Sequence, residues 1–436
     1  MPDATLAIRG PALTFTGDPF ATSVTDTLRF ESDALIAMSG GRITHFGPAA
    51  LVQPLLPPGT AVKDFGRDHL ILPGFIDCHV HYPQLQIIGA FGEQLLDWLE
   101  KYTFVAEQQF ADPVHARSVA ELFLDECLRQ GTTTVASFCT VHAHSVDAFF
   151  EAAAARGMRC IAGKCLMDRN APEALRDTAQ RGHDESKMLI DRWHGKGRAS
   201  YAITPRFAPS STPEQMQLAG ALWKEHPGTY LQSHVSENRR EVAWARELFP
   251  ERRDYLDVYE HSGQLGPRAI YGHGIHLTES ELARMHATGT AIAHCPTSNM
   301  FLGSGLFDLR NAKQSARPVR VGLATDVGAG TSLSMLKTMG SAYQTAQLTG
   351  SSLSAPEAFY LATRGAAQAL YLEDRIGSIA VGMEADLIVM NLKSTPLIEA
   401  RMQRCGNLHD ALFVQMTLAD DRAIAARYVA GRPIAS

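Results

Sequence analysis

From residue 75 to residue 326, short β-branched and apolar runs alternate with longer segments of helical period, and this alternation restricts the fold more than any other feature. Strand candidates lie at 132–139, 159–167, 199–204, 230–234, 269–273, 291–294 and 321–325. An eighth run precedes them, Ile71-Leu72-Pro73-Gly74-Phe75-Ile76-Asp77-Cys78-His79-Val80-His81. Helical periodicity falls between them, at 114–130, 148–156, 213–225 and 279–288. A strand that returns parallel to its predecessor needs a crossover of about a dozen residues, usually a helix, so the alternation implies a parallel sheet. Eight such units close into a (β/α)8 TIM-like barrel, and the fold class is α/β. The ends read differently: segments such as 6–10, 34–38, 382–390 and 425–432 are short, alternating and divided by Gly-rich turns. That pattern predicts antiparallel strands. We therefore expect a small β-sandwich domain formed by both termini, 1–68 and 376–436, around a barrel spanning 69–375.

Composition narrows the function classes. A net charge of -6 without a dense Lys/Arg run argues against nucleic acid or a membrane surface as partner. No apolar stretch approaches the roughly 20 residues of a spanning helix, and the start Met-Pro-Asp-Ala-Thr lacks the basic and apolar regions of a secretory signal. The seven cysteines are scattered, with no Cys-x-x-Cys, which suits reduced thiols in a cytoplasmic protein.

The histidines carry the chemistry. Residues two apart on a strand project to one side, so His79 and His81 can aim two imidazoles at one point, as a divalent transition metal requires. The active site of such a barrel lies at the C-terminal ends of its strands. There the fifth run ends at His234, the sixth at His273, the seventh at His294 and the eighth at Asp326. Polar groups at the ends of core strands cost a few kcal/mol of desolvation unless they share a ligand.

These residues carry a resemblance. Pro73-Gly74-x-x-Asp77-x-His79-x-His81 with the strand-end histidines and Asp326 resembles the amidohydrolase superfamily. Within it, the chain is similar to the guanine deaminases over nearly its whole length, through His81-Tyr82-Pro83-Gln84, the stretch from Gly92 to Phe104, Gly163-Lys164-Cys165-Leu166-Met167-Asp168-Arg169-Asn170, Thr204-Pro205-Arg206-Phe207 and His234-Val235-Ser236-Glu237. The resemblance implies one metal held by His79, His81, His234 and Asp326. Thr204-Pro205-Arg206 stands where binuclear relatives carry a carboxylated lysine, so a single ion is expected. Zinc suits this donor set, and Fe2+ is chemically acceptable. Asp326 would accept the proton of the attacking water, Glu237 would protonate a ring nitrogen, and His273 would orient the water. Gln84, Arg206 and Phe207, with Glu237 and His273, would contact the purine: a guanidinium suits the O6 acceptor, and an amide offers both donor and acceptor. The implied reaction is hydrolytic deamination of guanine to xanthine and ammonia in purine catabolism, by a cytoplasmic homodimer.

Blander roles are assigned elsewhere. A second His-x-His, His142 and His144, falls in a loop past the second strand and reads as pocket lining or surface. Lys164 reads as a structural ion-pair partner, His294 and Asn299 as lining, and 95–104 as a packed lid or interface helix. Two alternatives stay open on sequence grounds. One is deamination or dechlorination of another purine, nucleoside or s-triazine on the same scaffold. The other is a catalytically inactive scaffold, which would be expected to have lost ligands that this chain retains.

Overall fold

The computed structural model describes residues 6–435. Eight parallel strands form the barrel: β1 Phe75–His81, β2 Thr132–Phe138, β3 Arg159–Gly163, β4 Ala199–Pro205, β5 Tyr230–Val235, β6 Ala269–His273, β7 Ala291–His294 and β8 Arg320–Leu323. Each pairs with its neighbour in chain order. The ring closes through the residues after β8: Asp326 N donates to His79 O at 2.9 Å, and His81 N to Val327 O at 2.8 Å. Asp77 reinforces the seam, accepting from Thr325 N at 3.0 Å and from the Thr325 hydroxyl.

Local sequence explains these elements. All seven residues of β2 are buried, as expected for a strand covered on both faces. The helix Pro113–Arg129 starts with Asp112 accepting from Val114 N and Pro113 in the first turn. It buries Ala116, Val119, Ala120, Phe123, Leu124, Cys127 and Leu128, a three-and-four spacing that lays one face on the sheet.

Two sequence expectations shift. The third run is not one strand; it divides into Arg159–Gly163 and Cys165–Leu166. At Gly163 a Cβ would stand 1.7 Å from Ala202 O, so only glycine lets these strands approach. The helix expected at 148–156 begins earlier, at Ala143, so His144 lies in its first turn rather than in a loop.

Both termini build one eight-stranded sheet. Leu6–Phe15, Leu28–Ser39, Arg42–Pro48, Ala61–Asp64 and His69–Pro73 come from one end, and Leu387–Asn391, Ile424–Val429 and Arg432–Pro433 from the other. The halves join where Leu387–Asn391 runs antiparallel to His69–Pro73. Helices Pro396–Met402 and Leu408–Leu418, which the alternating reading of the C-terminal end omitted, lie between its strands. A buried ionic knot fastens sheet to barrel: Arg159 Nε and Arg198 Nε each donate to Glu384 Oε2 at 3.0 Å, and Arg198 Nη1 to Asp386 Oδ1 at 3.0 Å.

Candidate active site

At the C-terminal mouth of the barrel three imidazoles and a carboxylate converge. His234 Nε2 lies 3.1 Å from His79 Nε2 and 3.1 Å from His81 Nε2. Asp326 Oδ1 lies 3.4 Å from each of those two nitrogens. Donors about 2.1 Å from a shared tetrahedral ion stand about 3.4 Å apart, so the spacing is close to that of a ligand shell. His79, His234, His273 and Asp326 also offer ligand atoms that all lie within 4.8 Å of one another, which brings His273 to the rim of the same cluster.

The electrostatics suit a cation. Burial pushes the imidazoles down, His81 to about 3 and His79 and His234 also below the usual range. They are therefore neutral, the form that offers a lone pair to a metal. His234 is oriented by its Nδ1–H, which donates to Arg206 O at 2.7 Å and leaves Nε2 bare. Burial opposes ionisation of Asp326, yet contacts with His79 and His81 hold its carboxyl well below the usual range. Three neutral donors and one anion fit a single divalent ion.

Backbone geometry delivers these groups. Ser236, His273 and Asp326 have φ of 50°, 71° and 51°, left-handed values that turn the chain sharply at three strand ends. Such strain in residues with side chains gathers at functional sites. Gly272 on β6 makes room: a Cβ there would lie 2.7 Å from His79 Cε1.

A second tier surrounds the ligands. His273 Nδ1–H donates to Asn299 Oδ1 at 2.8 Å, leaving Nε2 as an acceptor. That Nε2 stands 3.4 Å from Glu237 Oε2 and 3.7 Å from Asp326 Oδ2. Burial, aided by the Asp326 charge, pushes Glu237 up to about 8, so it carries a proton at neutral pH. Ser304 Oγ donates to Glu237 Oε1 at 3.1 Å. Glu241 accepts from the backbone N–H of Glu237 at 2.8 Å and of Asn238 at 3.0 Å, which fixes the loop.

The cavity beyond encloses ≈ 430 Å³, mouth included, and His81, Gln84, Arg206, Phe207, Glu237, His273 and Asp326 are among its walls. The segment 95–104 roofs it through Leu95, Trp98, Leu99 and Thr103. Its stretch Leu99–Thr103 is a π-helical turn, a distortion frequent at functional sites.

Of the residues expected as lining, neither His294 nor Asn299 faces this cavity; Asn299 acts instead on His273. His142 and His144 stack at 5.5 Å away from it, with His144 Nε2 against Phe110 O at 2.7 Å. Lys164 is fully buried in an ion pair with Asp177. Sequence reasoning missed Glu107, fully buried against Gln84 and Arg206, along with Gly272, Glu241 and Ser304. For Glu107 the available signal was a carboxylate three residues after Phe104, on an otherwise apolar helix face.

The amidohydrolase family model matches residues 70–434. The guanine deaminase of Escherichia coli (strain K12) is 49% identical over 409 residues, which cover 94% of this chain and 92% of that protein. The solved E. coli guanine deaminase superposes with a TM-score of 0.95 over 99% of both chains at 45% identity. The guanine deaminase from C. acetobutylicum, solved with guanine in its active site, gives 0.88 at 29% identity over 99% of this chain and 100% of that one.

Proposed function

The chain belongs to the amidohydrolase family and, within it, to the guanine deaminases, and from that premise we propose how its residues divide the work of turning guanine and water into xanthine and ammonia. His79, His81, His234 and Asp326 hold one divalent cation, zinc in our reading, because three neutral imidazoles and one carboxylate match its donor preference. When bound, that cation supplies the Lewis acidity that makes water nucleophilic near neutral pH.

Protons are handled by the chain's own groups. Asp326, ionised at any working pH, accepts a proton from the attacking water. Glu237, protonated at neutral pH, donates to N3 of the purine as oxygen adds at C2. His273, with Nε2 bare and facing both carboxyls, accepts a hydrogen bond from the water and orients it. On collapse, the proton held by Asp326 passes to the amine, the C2–N bond breaks, and Glu237 recovers its proton from the new hydroxyl. Two protons leave the carboxyl groups and two return, so the site closes its cycle unchanged. Gln84, Arg206 and Phe207 bind the purine, Phe207 by covering an apolar face.

The observation that carries this reading is the 3.4 Å approach of Glu237, whose carboxyl burial pushes up, to His273, itself 3.7 Å from Asp326, whose carboxyl its contacts with His79 and His81 hold down. Acid and base, held apart in pKa within one cavity, are what an addition–elimination at a ring carbon demands. Ammonia release from guanine, adenine, adenosine, cytosine and a chlorotriazine, measured with metal content on the same sample, tests it: guanine should dominate, and failure to release ammonia from guanine would sink the reading. A homodimer is our proposal for the assembly, to be checked by sizing chromatography. No helix among the described residues is long and apolar enough to cross a membrane.

A further inference from the structure

We propose that Glu107 is a positioning residue that makes the purine pocket select an oxo group at position 6, an inference that rests on the guanine deaminase reading above. Glu107 sits on the helix Phe104–Gln108, fully buried, behind the cavity wall and not part of its lining. Its carboxylate accepts from Gln84 Nε2 at 3.1 Å and from Arg206 Nη1 at 2.9 and 2.8 Å.

A carboxylate only accepts hydrogen bonds, and this decides the rest. Gln84 must turn its NH2 toward Glu107, which leaves its Oε1 facing the Gly328 N–H at 3.3 Å. One lone pair of that oxygen is thereby engaged and the amide is fixed in this orientation, so the N–H that Glu107 leaves free is the donor Gln84 has for the cavity. Arg206 contributes only donors, since a guanidinium has no acceptor; Nη1 is held by Glu107, and the Cys165 thiol is a further contact. Both side chains line the cavity, so this part of the wall is rich in donors.

That polarity reads one edge of a purine. Guanine carries two adjacent acceptors, O6 and N7, which match a pair of donors. A 6-aminopurine sets a donor against donors, leaving desolvated groups unpaired, the situation that hydrogen-bonding sites reject most strongly. The sequence reading has the Gln84 amide offer both donor and acceptor; on this proposal Glu107 favours the donor end. Removing its charge frees the amide to rotate and leaves the Arg206 cation buried without a counter-ion.

The test compares Glu107→Gln and Glu107→Asp holoenzymes on guanine and on 2-aminopurine, which keeps the reacting C2 amine and lacks O6; the latter is read as substrate and as competitive inhibitor. For Glu107→Gln, kcat/KM on guanine should fall about 100-fold, the scale of one lost bidentate readout, chiefly through KM. Turnover or inhibition by 2-aminopurine should change less than about threefold. Glu107→Asp, which keeps the charge, should recover part of the guanine preference, and it provides the ratio if Glu107→Gln does not fold. Equal losses on both purines at wild-type metal content, or no loss on guanine, would overturn the proposal. A wild-type enzyme inert toward guanine but active on another ring would instead remove the functional reading beneath it.

Discussion

Replacing Gly272 with alanine should empty the metal centre while leaving the barrel folded. The added Cβ would lie 2.7 Å from His79 Cε1 and 3.0 Å from both ring nitrogens. Carbon atoms in contact prefer about 3.5 Å, so the imidazole has to withdraw by about 0.8 Å. Ligand distances at a metal tolerate about 0.2 Å, a quarter of that movement. Retreat of the strand offers no escape, because Gly272 is in register with His234 on β5 and Ala293 on β7, and shifting it drags a second ligand. Gly272 has no left-handed φ, so the effect is steric and not conformational. Overpacking of this kind costs about 1–3 kcal/mol, which for a chain of this size lowers Tm by only a few degrees. We expect metal per chain, measured by elemental analysis, to fall below about a fifth of wild type. Guanine turnover should drop by about 100-fold or more, the upper end of the cost of perturbing the surroundings of a metal. A Gly272→Ala protein with full metal and wild-type kcat would refute the steric argument and the assignment of His79 as a ligand with it.

Other outcomes follow from the same geometry. Glu237→Gln should lower kcat about 1,000-fold, within the range for loss of a general acid; because Glu237 must be protonated and is pushed up to about 8, wild-type kcat/KM should hold below that pH and fall tenfold per unit above it, a limb the variant should lack. Dialysis against a chelator should abolish turnover and zinc should restore it, whereas activity surviving without measurable metal would contradict the ligand assignment. Glu384→Ala strands Arg159 in the seam between barrel and sheet, leaves Arg198 with Asp386 alone, and should cost about 3–5 kcal/mol in urea unfolding. Burial opposes ionisation of Glu384, but the two guanidiniums hold it below the ordinary glutamate range. Its folded pKa being depressed, its stabilisation is complete above the unfolded value near 4.3 and is lost as pH falls through the folded one. Acid titration of wild type against Glu384→Ala should therefore converge below that pH.

What the sequence determined by itself is what short-range periodicity encodes. The two-residue repeat puts His79 and His81 on one side of β1, and the alternation of strand and helix forces a parallel barrel whose strand ends gather His234, His273 and Asp326. Those facts depend on local backbone geometry and on one global rule about where such barrels carry their sites. The tertiary structure alone decided the supporting roles. Glu107 meets partners 23 and 99 positions distant in the chain, so nothing within its own helix announces them. Gly272 matters because another strand's imidazole fills the space its missing side chain leaves, and Asn299 because His273 turns toward it. Orientation of an amide, room for a ring and the proton held by a buried carboxyl arise from contacts made only after the chain has closed, which is why no periodic pattern foretells them.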